Sequence, residues 1–468
     1  MTNVVVIGMG YVGIPRAALL ADVPEFAVTG VQRRSERSGW KIDHLNAGLC
    51  PFEGDEPGLA ELIHRVVIEK GSFRVTDDYA VCAGADVILI DVQTPTDDDH
   101  VPHYESLREV CAQAGRHMRP GTLVIIESTV APGTTQHIAQ PILESESGLH
   151  AGFAGDDSFG LAFSYERVMP GKLLEFITDY PRVVGGIDAE TTRRAVAFYA
   201  NIVRAEITPT DVLTAEISKV VENAYRDVNI AFANEVALAC ERMGVNVFEV
   251  RELINARPDR HMHIPGAGVG GHCLPKDSWL LQYGLETFGR SVCDGEDGHL
   301  RIIPLAREIN DRMPRHMAAL LRSSLAEIGR PVSGARVAML GVSYLENADD
   351  TRNTPAAPLA KALLEQGAQV VAHDPYVRQA DWLRALQGIG DVPLTSDLDA
   401  ALQGADCAVI VTRHREYGAM DLARAKALMR SPLVVDGRHV LDGEAAAAGL
   451  VVRCVGNGAH HAKLLRPW

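Results

Sequence analysis

Short apolar runs, each closed by a polar or glycine-rich loop, recur along the chain and alternate with stretches of helical spacing. Val4 to Ile7 is followed by Gly8-Met9-Gly10-Tyr11-Val12-Gly13 and a helical Ile14 to Leu20, which predicts strand, glycine turn and helix. A second strand is expected at Ala27 to Val31, and buried strands at Asp86 to Ile90 and Leu123 to Ile126. Glu144 to Gly160, rich in Gly, Ser and Asp, reads as loop; a strand at Arg182 to Ile187 and a helix at Ala189 to Ile202 follow. From Asp211 to Glu241 there is neither Gly nor Pro, which predicts a helical rod over roughly 40 Å long. A helix is expected at Val247 to Asn255 and another at Ile303 to Ile328, before a linker turn at Arg330 to Gly334. Alternation then resumes: strand Arg336 to Gly341, helix Ala356 to Gln366, and strands Gln369 to Ala372, Cys407 to Val411 and Leu433 to Val435.

This pattern predicts an α/β protein with two Rossmann-like parallel-sheet domains joined by a long central helix and a helical middle domain. The expected boundaries are 1–205, 206–314 and 315–468. At 468 residues the chain exceeds what one core usually serves, and 47% hydrophobic with 23% charged residues is ordinary globular composition. A formal charge of −16 argues against nucleic acid as partner. No apolar run reaches membrane-spanning length and no signal pattern opens the chain, so a cytoplasmic location is expected. The eight cysteines (50, 82, 111, 240, 273, 293, 407, 454) form no Cys-X-X-Cys pair, which suits reduced thiols.

In a dinucleotide-binding turn the first glycine makes the bend, the second admits the pyrophosphate and the third lets helix and strand close up. Gly8, Gly10 and Gly13, with Tyr11 and Val12 between them, are candidates for those roles. The acid expected about 20 residues on, for the ribose hydroxyls, is replaced by Gln32, Arg33 and Arg34, leaving NAD and NADP both open. A solvated basic loop explains the arginines equally well. Thr94, Pro95, Ser128 and Thr129 follow strand ends, where open parallel sheets bind ligands; helix capping is the plainer alternative.

Pro265-Gly266-Ala267-Gly268-Val269-Gly270-Gly271-His272-Cys273-Leu274-Pro275-Lys276-Asp277 crowds four glycines before one thiol. Lys276 favours a thiolate and Asp277 can orient water against an acyl-sulfur intermediate, although a flexible loop with a structural cysteine fits the composition too. Lys219 and Asn223 share a helix face, one turn apart. His261, His263, His272 and Cys273 offer a rival zinc reading, but their spacing matches no standard finger, and no metal is expected.

Taken together, these motifs resemble the nucleotide-sugar 6-dehydrogenases, the UDP-glucose/GDP-mannose dehydrogenase family, over essentially the whole chain. The resemblance rests on Gly8 to Gly13, Glu127-Ser128-Thr129-Val130 with Pro132-Gly133-Thr134, Lys219 and Asn223, Gly270 to Asp277, and Asp349-Asp350-Thr351-Arg352. It implies a four-electron oxidation of the sugar's carbon-six alcohol to a carboxylate, with NAD (NADP possible) used twice. Cys273 would carry the thiohemiacetal and thioester, Lys219 and Asn223 would hold the oxyanion, and Asp277, Thr129 and Glu166 would position water. Lys276 joins the cofactor contacts by the same resemblance. Substrate contacts are implied for Glu166, Arg167, Val168, Lys219, Asn223, Arg260, Gly266, Gly268, Gly270, His272 and Arg352, the last reaching a neighbouring subunit's substrate. The implied assembly is a homo-oligomer, at least a dimer through the rod, with a UDP-sugar as partner and no membrane.

Glu166-Arg167-Val168-Met169-Pro170-Gly171 and His272 resemble the UDP-N-acetylhexosamine branch, acting on UDP-N-acetylglucosamine or UDP-N-acetylmannosamine. Tyr165, where proline is usual, and Leu274-Pro275-Lys276-Asp277, nearer the UDP-glucose branch, depart from it. UDP-glucose oxidation and a non-catalytic nucleotide- or metal-binding module are the alternatives.

Overall fold

The computed structural model describes residues 1–36, 38–52, 56–97, 99–169, 171–290, 299–441 and 443–458, except the side chains of 443 and 444. Cys293 and Pro170 lie outside the described residues. The chain divides into two compact units, the first holding 1–222 and 279–299, the second 223–278 and 300–468.

The first unit carries a sheet whose strands are β1 (Thr2–Ile7), β2 (Phe26–Val31), β3 (Phe73–Thr76), β4 (Val87–Ile90), β5 (Leu123–Ile126), β6 (His150–Ala151), β7 (Ser158–Phe163), β8 (Arg182–Gly186) and β9 (Ile207–Asp211). Their order is β3-β2-β1-β4-β5-β7-β8-β9, with β6 beside β7. Strand order reverses between β1 and β4, which opens a crevice at their carboxyl ends. Both faces are covered, so the inner strands read as unbroken apolar runs: Leu123, Val124, Ile125 and Ile126 are all buried. Burying each such side chain contributes about 1.5–3 kcal/mol.

Two expectations change here. Glu144 to Gly160 is not a loop: the helix Gln140–Ser147 occupies its start, β6 lies within it, and its end begins β7, a wholly buried strand at the heart of the sheet. Small residues hid that strand from a search for branched runs. Gly160 is small of necessity, because a Cβ there would stand 2.4 Å from the Phe153 ring. The sheet is also not uniformly parallel, since β7 and β8 pair antiparallel through Ala162 with Gly186 and Phe163 with Gly185.

The second unit carries a wholly parallel sheet of β10 (Arg336–Leu340), β11 (Gln369–His373), β12 (Leu394–Thr395), β13 (Cys407–Ile410), β14 (Leu433–Asp436) and β15 (Val451–Cys454), ordered β12-β11-β10-β13-β14-β15. The rod is observed as one helix, Val212–Met243, followed by the helix Val247–Asn255. Helix Ile302–Glu327 contains a buried Pro314. Among the described residues no helix is long and apolar enough to cross a membrane.

Candidate functional site

The fingerprint turn shows three different demands on its glycines. Gly8 has φ +109°, and a Cβ there would meet the Asp91 carbonyl oxygen at 1.8 Å. A Cβ on Gly13 would meet the Gly8 carbonyl oxygen at 2.0 Å, whereas one on Gly10 would meet nothing within 4 Å. The outer glycines thus serve the chain's own close packing, and the middle one faces the space a pyrophosphate would take. Helix Gly13–Asp22 has no side-chain cap at its start, so no side chain competes for its first N–H groups. These residues fit a dinucleotide.

Around this turn the expected contacts divide. Gln32 is turned inward: its Oε1 accepts from Met9 N at 3.2 Å and its Nε2 donates to Ser38 Oγ at 3.1 Å. Arg33 is exposed, and Arg34 pairs with Asp77 at 3.0 Å and lies 3.8 Å from Asp43. Tyr11 donates to Glu56, and Val12 stands at the helix start. Thr94 and Ser128 do not present their hydroxyls to the crevice. Thr94 Oγ1 donates to the Thr129 carbonyl at 2.6 Å and Ser128 Oγ accepts from Val92 N at 2.8 Å, so both brace the strand-end loops from buried positions. Pro95 is exposed and Thr129 half-buried.

Beneath the same crevice lies a buried group that the sequence reading missed. Arg16, on the fingerprint helix, pairs with Glu127 and Glu166; Arg182, on β8, pairs with the same two acids, at 2.8 Å for Glu127. The side chains of Arg16 and Glu127 are fully buried and that of Glu166 is 9% exposed. Tyr199 donates to Glu127, and the Arg182 guanidinium lies 3.7 Å from the Tyr199 ring centre. Removing one partner from such a set costs about 3–5 kcal/mol. Burial would raise the Glu166 carboxyl's pKa, but Arg182 and Arg16 outweigh that and hold it below the ordinary value. The one available signal was Arg16 itself, a charge among the apolar residues of a core-facing helix. Lys219 Nζ donates to the Glu166 carbonyl at 2.8 Å. Arg167 is tied to Glu222 at 2.8 Å and Tyr165 Oη at 2.9 Å, and Val168 packs against the core.

In the second unit Cys273 is exposed, immediately before helix Leu274–Phe288, and its carbonyl accepts from Lys276 N at 3.0 Å and Asp277 N at 2.8 Å. The sulfur therefore starts the positive end of a helix, a setting suited to a nucleophilic thiolate. Asp277 is buried between two partners: Asn223 Nδ2, which donates to it at 2.6 Å, and the Lys276 ammonium, which forms an ion pair with it at 2.9 Å. Burial, with Lys276 and Arg352, pushes His272 down to about 4, so its imidazole is neutral near pH 7.

The glycines before the thiol are small for reasons internal to the chain. A Cβ on Gly266 would lie 2.8 Å from the Gly437 carbonyl oxygen, on Gly268 3.2 Å from Pro314 and Pro355, and on Gly270 2.6 Å from Tyr344. Gly266 N already donates to Asn234 Oδ1 at 2.9 Å, and Gly271 N to the Arg352 carbonyl at 2.9 Å. Both N–H groups are thus taken within the chain itself. Arg352 pairs with Asp350, and Arg260 with Asp259 at the surface. His261 and His263 meet edge to face at 5.0 Å, and the described residues hold no cluster of three metal-ligating side chains.

Three models of one family match successive parts of the chain: the NAD binding domain at residues 2–203, the central domain at 213–312 and the UDP binding domain at 338–443. The chain belongs to the UDP-glucose/GDP-mannose dehydrogenase family. As a family member it is an NAD-dependent oxidoreductase of nucleotide sugars. It is 36% identical to the UDP-N-acetyl-D-mannosamine dehydrogenase of Pyrococcus horikoshii over 457 residues, covering 97% of this chain and 99% of that one. It is also similar to the solved NDP-N-acetyl-D-galactosaminuronic acid dehydrogenase of Methanosarcina mazei, with 40% identity, TM-score 0.86 and coverage of 98% and 96%. A solved UDP-glucose dehydrogenase of Pyrobaculum islandicum is 27% identical with TM-score 0.80, covering 95% of this chain and 96% of that one.

Proposed function

We propose that this dehydrogenase oxidises the carbon-six alcohol of a UDP-N-acetylhexosamine to the uronic acid, holding the aldehyde level on Cys273. The observation that carries the reading is the exposed thiol at a helix start, followed within one turn by an Asp277 held between Asn223 and Lys276. The hexosamine is supported by the relatives from Pyrococcus and Methanosarcina, whose names specify N-acetylated sugars.

The bound cofactor supplies a hydride acceptor for each of two oxidations. The Cys273 thiolate adds to the aldehyde carbon, and the resulting alkoxide takes a proton to become a thiohemiacetal. Loss of hydride and of the hydroxyl proton leaves a thioester, and water then adds at the acyl carbon, breaking the C–S bond to release acid and thiol. Lys219 and Asn223 stabilise the oxyanion as donors, while Asp277, with Thr129, orients the water. Among the remaining contacts, Arg260, His272, Arg352 and the Gly266 to Gly270 backbone serve the sugar nucleotide, and Lys276 the cofactor. NAD is the first cofactor, with NADP accepted through Arg33 and Arg34. The domains divide at 1–205 for cofactor, 206–314 for the thiol and 315–468 for the nucleotide. Assembly is at least dimeric through the long helix, on which Leu213, Ile217, Val221 and Tyr225 are exposed at four-residue intervals.

The test is a panel of nucleotide sugars with NAD, followed by the absorbance of reduced nicotinamide. UDP-N-acetylhexosamines should give the highest kcat/KM and two reduced cofactors per acid formed; higher kcat/KM with UDP-glucose would reassign the substrate. Cys273→Ala should lose acid formation while keeping cofactor and sugar-nucleotide affinity, and near wild-type acid production would end the covalent scheme.

A further inference from the structure

Four buried polar side chains lie between the long helix and helix Ile302–Glu327: Asp227 and Asn234 on the first, Arg307 and Asn310 on the second. Arg307 Nη1 donates to Asp227 Oδ1 at 2.6 Å. Asn310 Nδ2 donates to the same oxygen at 2.8 Å and to the Asp227 carbonyl at 3.0 Å, and Asn310 Oδ1 accepts from Asn234 Nδ2 at 2.8 Å. Asn234 Oδ1 in turn accepts from Gly266 N at 2.9 Å, where the glycine segment ahead of the thiol begins.

Each amide in this relay has only one way to face. A guanidinium can only donate, so the Asp227 oxygen it reaches must accept, and the Asp227 carbonyl accepts as well. Asn310 therefore turns its NH2 group to both and its oxygen to Asn234. Asn234 is left with its own oxygen towards Gly266, whose backbone N–H can only donate. Turning either amide would set like atoms against each other out of water, where an unmade hydrogen bond is costly. The other end of the segment is held from the same helix, by the Asn223 hydrogen bond to Asp277 at 2.6 Å. Asn223 and Asn234 stand about three turns apart and so share a face of the rod. Gly266 and Asp277 bracket Cys273. We propose that Arg307, Asp227, Asn310 and Asn234 are positioning residues that fix the entry of the thiol segment, so that Cys273 captures the aldehyde before it leaves. This rests on the role given to Cys273 under the proposed function.

Hydrogen–deuterium exchange and product stoichiometry test this on the whole protein. In Asn310→Ala, which leaves every residue of the segment in place, exchange in the peptide from Met262 to Gly271 should run about tenfold faster than in wild type, while the peptide around Asp277 keeps its rate. Unchanged exchange ahead of the thiol would overturn the inference. In turnover with a UDP-N-acetylhexosamine, wild type should form two reduced cofactors per acid. A thiol displaced with its segment lets aldehyde escape after the first oxidation, which needs no sulfur, so the variant's ratio should rise to about three, with the aldehyde trapped as a hydrazone. Loss of folded protein lowers both products together and leaves the ratio at two. Faster exchange with a ratio still at two would therefore make the group a structural one and defeat the proposal. If wild type oxidised no UDP-N-acetylhexosamine, the substrate reading would fail on its own, and unchanged exchange would still defeat this one. Asn234→Ser keeps a polar group in the buried space and supplies both readouts should Asn310→Ala not fold.

Discussion

Asn223 donates a 2.6 Å hydrogen bond to Asp277, joining the long helix to the helix that begins just after Cys273. The remaining Asp277 oxygen lies against the Lys276 ammonium at 2.9 Å, so the carboxylate is buried with a partner on each side. Under the proposed mechanism, Asp277→Asn removes the charge that orients water while leaving the thiol untouched. We expect kcat to fall by about 10²–10⁴-fold and a covalent acyl adduct to build up on Cys273, seen by intact-protein mass spectrometry. Loss of rate without an adduct would place Asp277 before thioester formation.

The middle and last glycines of the fingerprint turn should behave in opposite ways. Gly13→Ala forces a methyl into the Gly8 carbonyl at 2.0 Å, so the protein should unfold at lower temperature whether or not cofactor is present. Gly10→Ala meets nothing in the protein, so Tm should hold while the Kd for NADH rises at least about tenfold, read by nicotinamide fluorescence. Equal cofactor affinity in Gly10→Ala would move the pyrophosphate elsewhere.

Glu216 makes stability pH-dependent. Its carboxylate accepts from Gly133 N at 2.6 Å and Thr135 N at 2.8 Å, yet burial still pushes it up to about 7. A folded carboxyl above its unfolded value of about 4.3 binds more protons than the unfolded chain between those two pH values, so stability falls as pH rises through that window. Glu216→Gln cannot titrate. Its Tm deficit relative to wild type should therefore shrink from about pH 5 to about pH 8. A deficit that stays constant or grows would show that Glu216 is ionised throughout.

Cofactor choice is testable without turnover. Gln32 spends its amide on Met9 and Ser38, which leaves Arg33 and Arg34 as the charged groups after β2. The protein should bind 2′,5′-ADP as well as 5′-ADP by calorimetry, and Arg33→Ala should weaken 2′,5′-ADP while leaving 5′-ADP unchanged. Because Arg34 is already paired with Asp77, its replacement should matter less. No binding of 2′,5′-ADP by wild type, or an equal effect of Arg33→Ala on both nucleotides, would leave the arginines as a solvated loop.

The strand-turn-helix opening, the rod and the later strands were legible because each follows from one segment's own spacing of apolar side chains. The helix expected at Val247 to Asn255 spans those residues, and the rod's ends fall within two residues of expectation. The thiol motif was legible for a related reason: its chemistry lies within five consecutive residues, Cys273 to Asp277. Other features depend on residues far apart in sequence, and local spacing carries no trace of those. Gly160 in β7 is small because Phe153 and Leu123 close on it, and β7 runs antiparallel to β8 only through pairing across the sheet. The glycines crowding before Cys273 were plain in the sequence, but only the approach of Tyr344, Pro314 and Gly437 shows what they accommodate.

Glu166 makes the distinction sharpest. Read along the chain, it is a carboxylate in a motif, equally suited to base or anchor. Arg16 and Arg182, 150 and 16 residues away, bring two guanidinium groups to one buried oxygen, and nothing in the local spacing foretold that meeting. Sequence determined which residue types the chain possesses and which local elements they form. Tertiary structure decided which charges meet out of water, and in that low-dielectric setting the identity of the partner sets what an ionisable side chain can do.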